Sequence, residues 1–154
     1  MKLTENFSLA ELIKSQVAER KGIPNNPSSD HITNLKKLAE SVLQPLRNHY
    51  ESPVIITSGY RSAELCMAIN SNGLTSQHAK GQAADLEIIG HSNHDVFLWI
   101  KNNLDYDQLI LEFWKGEDEP NSGWIHVSYV GKKNRKQSLR AFRDEEGKVK
   151  YRPL

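Results

Sequence analysis

The sequence predicts an α+β fold in which a small, mainly antiparallel sheet carries helices packed on it. Two observations carry that expectation. Apolar residues recur at three- and four-residue spacing through the first 50 residues, and short β-branched runs bounded by turn residues dominate the remainder of the chain. The length of 154 residues fits one domain with a single core. On this reading residues 1–50 supply N-terminal helices, 51–130 the functional core and 131–154 a basic C-terminal segment.

Ser8-Leu9-Ala10-Glu11 has the spacing of a capping box and opens a helix over about Ser8 to Arg20. Pro24, Pro27, Ser28 and Ser29 interrupt it. Ile32, Leu35, Leu38, Val42 and Leu46 then mark a helix from Asp30 to Tyr50 with one buried stripe, and Pro45 should remove one backbone hydrogen bond and bend it. Val54-Ile55-Ile56-Thr57 reads as a buried strand ending at the Ser58-Gly59 turn, Ser62 to Asn70 as a short helix and Asn72-Gly73 as a turn. Ala83 to Ile89, Gln108 to Phe113 and Trp124 to Val130 read as strands, with a helix over His94 to Asn103 between the first two. Gly147, Lys148, Val149 and Tyr151 suggest a last edge strand.

Hydrophobic residues at 38%, charged residues at 25% and a net charge of +1 describe an ordinary soluble globular protein, not a disordered chain. No apolar run approaches the roughly 20 residues that span a bilayer. The first residues lack the uninterrupted apolar stretch of a secretory signal, so synthesis in a cytoplasm is expected. Cys66 is the one cysteine, so no internal disulfide can form. Residues 131–154 hold nine Lys and Arg against three Asp and Glu. This patch, with Lys132, Lys133, Arg135, Lys136, Arg140 and Arg143, is either a solvated face or a contact for an anionic polymer.

Chemistry is concentrated in two segments. Ser76-Gln77-His78-Ala79-Lys80-Gly81-Gln82-Ala83-Ala84-Asp85 holds a histidine and an aspartate seven residues apart, and Trp124-Ile125-His126-Val127-Ser128 holds a histidine within an apolar strand. Gly81, Ala83 and Ala84 leave room for the backbone to fold so that both side chains face one cavity. Two imidazoles and one carboxylate suit a zinc ion whose fourth position stays open. Taken singly, each is more often a satisfied core histidine or a turn aspartate; together they point to a metal. His91 and His94 lack a third ligand nearby and, like His31 and His49, read as surface residues. No His-Glu-x-x-His, Gly-x-Ser-x-Gly, Ser-x-x-Lys or phosphate-binding Gly-x-x-x-x-Gly-Lys occurs.

Three blocks, Ser58-Gly59-Tyr60-Arg61-Ser62, Ser76 through Asp85 and Trp124 through Ser128, resemble the signatures of the zinc D-alanyl-D-alanine carboxypeptidase family, within the wider D-Ala-D-Ala and hedgehog-type group. The resemblance runs from about Phe7 to Val130 and extends to the short phage and prophage members. It implies a zinc-dependent peptidase of the peptidoglycan stem or cross-link, endolysin-like, acting on the wall after lysis or carriage by a phage particle. It implies that His78, Asp85 and His126 hold Zn2+ and that Arg61 holds the oxyanion. The general base is read as Glu112, because a strand ending there would lie beside the His126 strand. In some relatives that base stands three residues before the last histidine, a position that here is Gly123. Glu87 and Asp107 are weaker candidates. Ser76, Tyr60 and Trp124 are expected to contact the substrate, and the enzyme is expected to be a monomer. Where relatives carry an asparagine and a Gly-Gly pair, this chain has Cys66 and Asn70-Ser71-Asn72-Gly73. Two other classes stand beside this reading: an inactive zinc-stabilised binding module or phage structural part, and, ranked last, nucleic-acid binding through residues 132–143, which hold no aromatic but Phe142.

Overall fold

The structure, a computed structural model of the chain, describes residues 1–69 and 75–154. Helices dominate its first third, as periodicity predicts, but the expected Ser8–Arg20 helix is two: α1 (Leu9–Ile13) and α2 (Gln16–Lys21). Lys14 adopts an extended backbone between them, and the Ser15 hydroxyl accepts from the Ala18 amide to start the second. A serine at each start satisfies an amide that would otherwise lack a partner, so two short helices cost little more than one. A full capping box occurs instead at α3 (Ser29–Leu38), where Ser28 and His31 bond reciprocally. His31 is therefore not a mere surface residue; its ring closes the box and lies 5.1 Å from that of Tyr60.

The helix expected over Asp30 to Tyr50 continues from α3 through a π-helical turn (Ala39–Leu43) into α4 (Gln44–Tyr50). The Gln44 amide bonds the Ala39 carbonyl, five residues back. This wider turn immediately precedes Pro45 and accommodates its missing N–H and its ring. The stripe faces inward as expected: Leu35, Leu38, Val42 and Leu46 are fully buried.

Strands β1 (Val54–Ser58), β2 (Ala83–Ile88), β3 (Gln108–Glu112) and β4 (Trp124–Ser128) occur where expected. Helices α5 (Ala63–Ala68) and α6 (Asn93–Asn103) do as well; the expected Asn72-Gly73 turn lies outside the described residues. Two further strands, β5 (Gln137–Arg143) and β6 (Val149–Pro153), complete one six-stranded sheet in the order β1-β2-β4-β3-β5-β6. All pairs are antiparallel except β3 with β5.

The edge strand near Tyr151 was expected, whereas β5 was not, because its arginines read as a charge run. Their guanidinium groups lie over aromatic rings instead, Arg140 5.7 Å from the Trp114 centroid and Arg143 5.1 Å from that of Phe113, and Arg152 of β6 is likewise 5.2 Å from that of Phe142. One face of the sheet, with Leu86, Leu109, Leu111, Ile125 and Val127 fully buried, forms the core with the helices. The opposite face carries the chemistry.

Candidate metal centre

Strand register assembles the site. Asp85 lies opposite His126 across the β2–β4 pair, while Ile110 lies opposite His126 and Glu112 opposite Trp124 across the β3–β4 pair. Because side chains alternate across a strand, these five share the face turned away from the helices. His78 arrives from a 3₁₀ turn (Gln77–Lys80) closed by Gly81, whose φ is +73°. A Cβ at Gly81 would strike the His31 carbonyl, so only glycine lets the chain turn from His78 into β2.

His78 is 4% exposed. Its Nδ1 lies 2.8 Å from the Gly59 carbonyl and donates to it, which leaves Nε2 as the free ligand atom. That Nε2 is 3.5 Å from Asp85 Oδ1, and His126 Nδ1 is 3.0 Å from the same oxygen. One ligand atom from each residue lies within 4.8 Å of the other two. Donors around a tetrahedral zinc ion are about 3.4 Å apart, so the set fits a divalent cation in kind and in spacing. Among the described residues no other group of three such side chains converges in this way.

Electrostatics agree. Burial lowers the His78 pKa, against the smaller upward pull of Asp85, and so keeps the ring neutral as a ligand must be. Burial alone would raise Asp85, but hydrogen bonds and charge from His126 and His78 outweigh it and hold the carboxyl well below the usual carboxylate range. Glu112 behaves oppositely. Burial, assisted by the Asp85 charge and opposed by His126, pushes it up to about 6.

The same cleft, about 690 Å³ in volume, is lined by Arg61, Ser76, Glu112 and Trp124. Arg61 stands on a braced segment. Its amide donates to the His78 carbonyl at 3.1 Å, and Asn25 bonds the backbone on both sides, at Tyr60 and Ser62. Its Nε is buried without a hydrogen-bond partner among the described residues, a spare donor at the edge of the cleft.

Gly123, the position that holds the base in some relatives, has φ +67°, and a Cβ there would collide with the Glu112 carbonyl. No glutamate can occupy it in this backbone. The carboxylate that reaches the cleft comes from Glu112, at the end of β3, where Phe113 turns the chain with φ 57°.

Several expectations need correction. Tyr60 does not face the cleft; it is 4% exposed and belongs to the core, because it points away from its neighbour Arg61. Asp107 is committed elsewhere, bonded by Arg135 at 2.7 Å and by Gln77 at 2.8 Å, which holds its pKa down to about 2. Glu87 lines a separate depression beside Ile88 and Gly90. Cys66 is buried, and its thiol donates to the Arg61 carbonyl at 3.5 Å, so it is no ligand. His91 and His94 are half-buried, the first tilted against Tyr50 and the second stacked on Trp114, with ring centroids 4.6 Å apart in each pair. The cleft also takes in Gln77, Lys80, Gln108, Arg135 and Tyr151, none of which the sequence marks as a site residue.

A family model described as Peptidase M15 matches residues 5–128 of the chain. No curated protein matches it.

Proposed function

Because the chain belongs to the peptidase M15 family and is a metallopeptidase acting on a peptide substrate, we propose that it is a zinc enzyme that hydrolyses peptide bonds in the stems or cross-links of bacterial peptidoglycan. It would act on the wall after lysis or delivery by a phage particle. The observation that carries this reading is the convergence of His78, Asp85 and His126 in one cleft with Glu112 and Arg61. Residues 1–154 serve as one peptidase domain, since a single sheet runs from Val54 to Pro153. No helix among the described residues is long and apolar enough to cross a membrane.

His78, Asp85 and His126 hold the ion, which supplies Lewis acidity to the attacking water and the scissile carbonyl. Glu112 takes the proton from that water and passes it to the leaving amine. A carboxyl pushed up to about 6 suits both halves of that task, since it gains and loses a proton near neutral pH. Arg61 donates hydrogen bonds to the oxyanion that forms at the carbonyl oxygen. Ser76 and Trp124 border the cleft and contact the peptide. Lys132, Lys133 and Lys136 remain exposed and available to an anionic wall polymer.

Arg61→Lys keeps the charge but loses the planar fork, so kcat should drop by about 10²-fold with bound zinc unchanged, as read by steady-state kinetics and metal analysis. The decisive experiment incubates the zinc-loaded and chelated protein with intact murein sacculi and identifies new termini by mass spectrometry. Zinc-dependent new amino and carboxyl ends support the proposal. Zinc binding with no cleavage leaves the inert binding module.

A further inference from the structure

The geometry points to Tyr151, on the terminal strand β6, as a substrate-binding residue whose hydroxyl donates a hydrogen bond to the carbonyl or carboxylate of the leaving residue. This rests on the peptidase reading above and on Glu112 as its proton carrier.

Register aligns one row of side chains across the open face. Trp124 is opposite Glu112, Glu112 opposite Ala141, and Ala141 opposite Tyr151. Ala141 stands between the acid and the phenol and is fully buried although it is on the face without helices. A methyl group there is hidden only if its neighbours lean over it. Tyr151 is 56% exposed and at the same time lines the metal cleft, so its ring lies across Ala141 toward Glu112. Two strand spacings separate Glu112 from Tyr151, about 9–10 Å between backbones. Both side chains border the same cleft, so a peptide bound there meets the phenol as well as the carboxylate.

Placement identifies which half of the peptide lies there. Glu112 returns its proton to the departing amine, so the portion of substrate beyond Glu112, away from Asp85 and His126, is the leaving residue. Burial, and then the Glu112 charge, push the Tyr151 phenol up, which keeps it an O–H donor at neutral pH. The carbonyl or carboxylate oxygen of the leaving residue, two bonds from the departing amine's α-carbon, lies on the side of the cleft that Tyr151 borders.

The test compares wild type, Tyr151→Phe and Tyr151→Ala, all zinc-loaded, on muropeptides released from sacculi, with kcat, KM, bound zinc and melting temperature measured together. Tyr151→Phe keeps the ring over Ala141 and loses only the hydroxyl. KM should rise about fivefold, the scale of one neutral hydrogen bond, with kcat within about twofold and zinc content and melting temperature unchanged. Tyr151→Ala should raise KM further. A Tyr151→Phe enzyme with wild-type KM, or with its defect in kcat or zinc content instead, overturns the assignment. A wild type that leaves every muropeptide intact overturns the substrate reading beneath it and removes the inference as well.

Discussion

Glu112→Gln is expected to lower kcat/KM by 10²- to about 10⁴-fold, the range that general acid–base groups supply, while the protein still binds zinc. Glutamine has the shape of glutamate but cannot accept the proton of the attacking water or return one to the amine. Hydrolysis assays paired with metal analysis check this; an active, zinc-replete variant would move the base elsewhere, although the backbone at Gly123 admits no side chain and Asp107 is held by Arg135. The same substitution should stabilise the metal-free protein near pH 7. Glu112 titrates at about 6 in the fold against 4.5 as its ordinary value. The unfolded chain binds fewer protons than the folded one between those values, so stability falls as pH rises through that window. Above it the wild type carries the cost of a half-buried charge, about 1 kcal/mol after solvent screening, which glutamine removes. Denaturant titrations of both chelated proteins should differ at pH 7 and converge below about pH 4.5. Loss of activity with gain of stability is the signature of a group kept for its chemistry.

Asp85→Asn should weaken zinc affinity by more than about 100-fold, since even changes to groups behind metal ligands cost 10- to 100-fold. The amide preserves size but brings no charge, and the two imidazoles left behind form an incomplete shell. Competition against a chelating dye measures the loss, and activity should return in part at high zinc. Acid behaviour provides a second readout on the chelated protein. Asp85 is held below its ordinary value of 3.8 by His126 and His78. The stabilisation it gives is complete above that ordinary value and fades as pH falls through the lower folded one. The variant should lack this acid-sensitive component. Unchanged zinc affinity in Asp85→Asn would remove the carboxylate from the ligand set.

Residues near one another in the chain made most of the centre legible. His78 and Asp85 are linked by a short turn whose glycine and alanines announce the fold-back, and His126 stands out as a polar residue in an apolar strand. Glu112 was reachable because consecutive strands commonly pair. What stayed hidden depends on pairings that no local pattern encodes. β5 inserts parallel to β3, which brings Arg135 to Asp107 and Tyr151 into the row of Glu112. The β5 arginines resembled a solvated run because the rings they lie over, Trp114 for Arg140 and Phe113 for Arg143, sit more than 20 residues away. Tyr60 misled because adjacency to Arg61 says nothing about which way alternate side chains turn. His31 was overlooked because capping boxes usually close with glutamate or glutamine.

The parallel partner of β3 also governs how the molecule keeps to itself. A chain shortened to the matched segment would retain every proposed ligand yet leave Leu109, Ile110 and Leu111 along an unpaired border with its amides and carbonyls bare, an invitation to intermolecular sheet growth. With β5 and β6 in place that border is sealed, and the outermost strand presents Lys150 and Arg152 and ends at Pro153, charges and a missing amide that discourage a neighbouring copy from adding on.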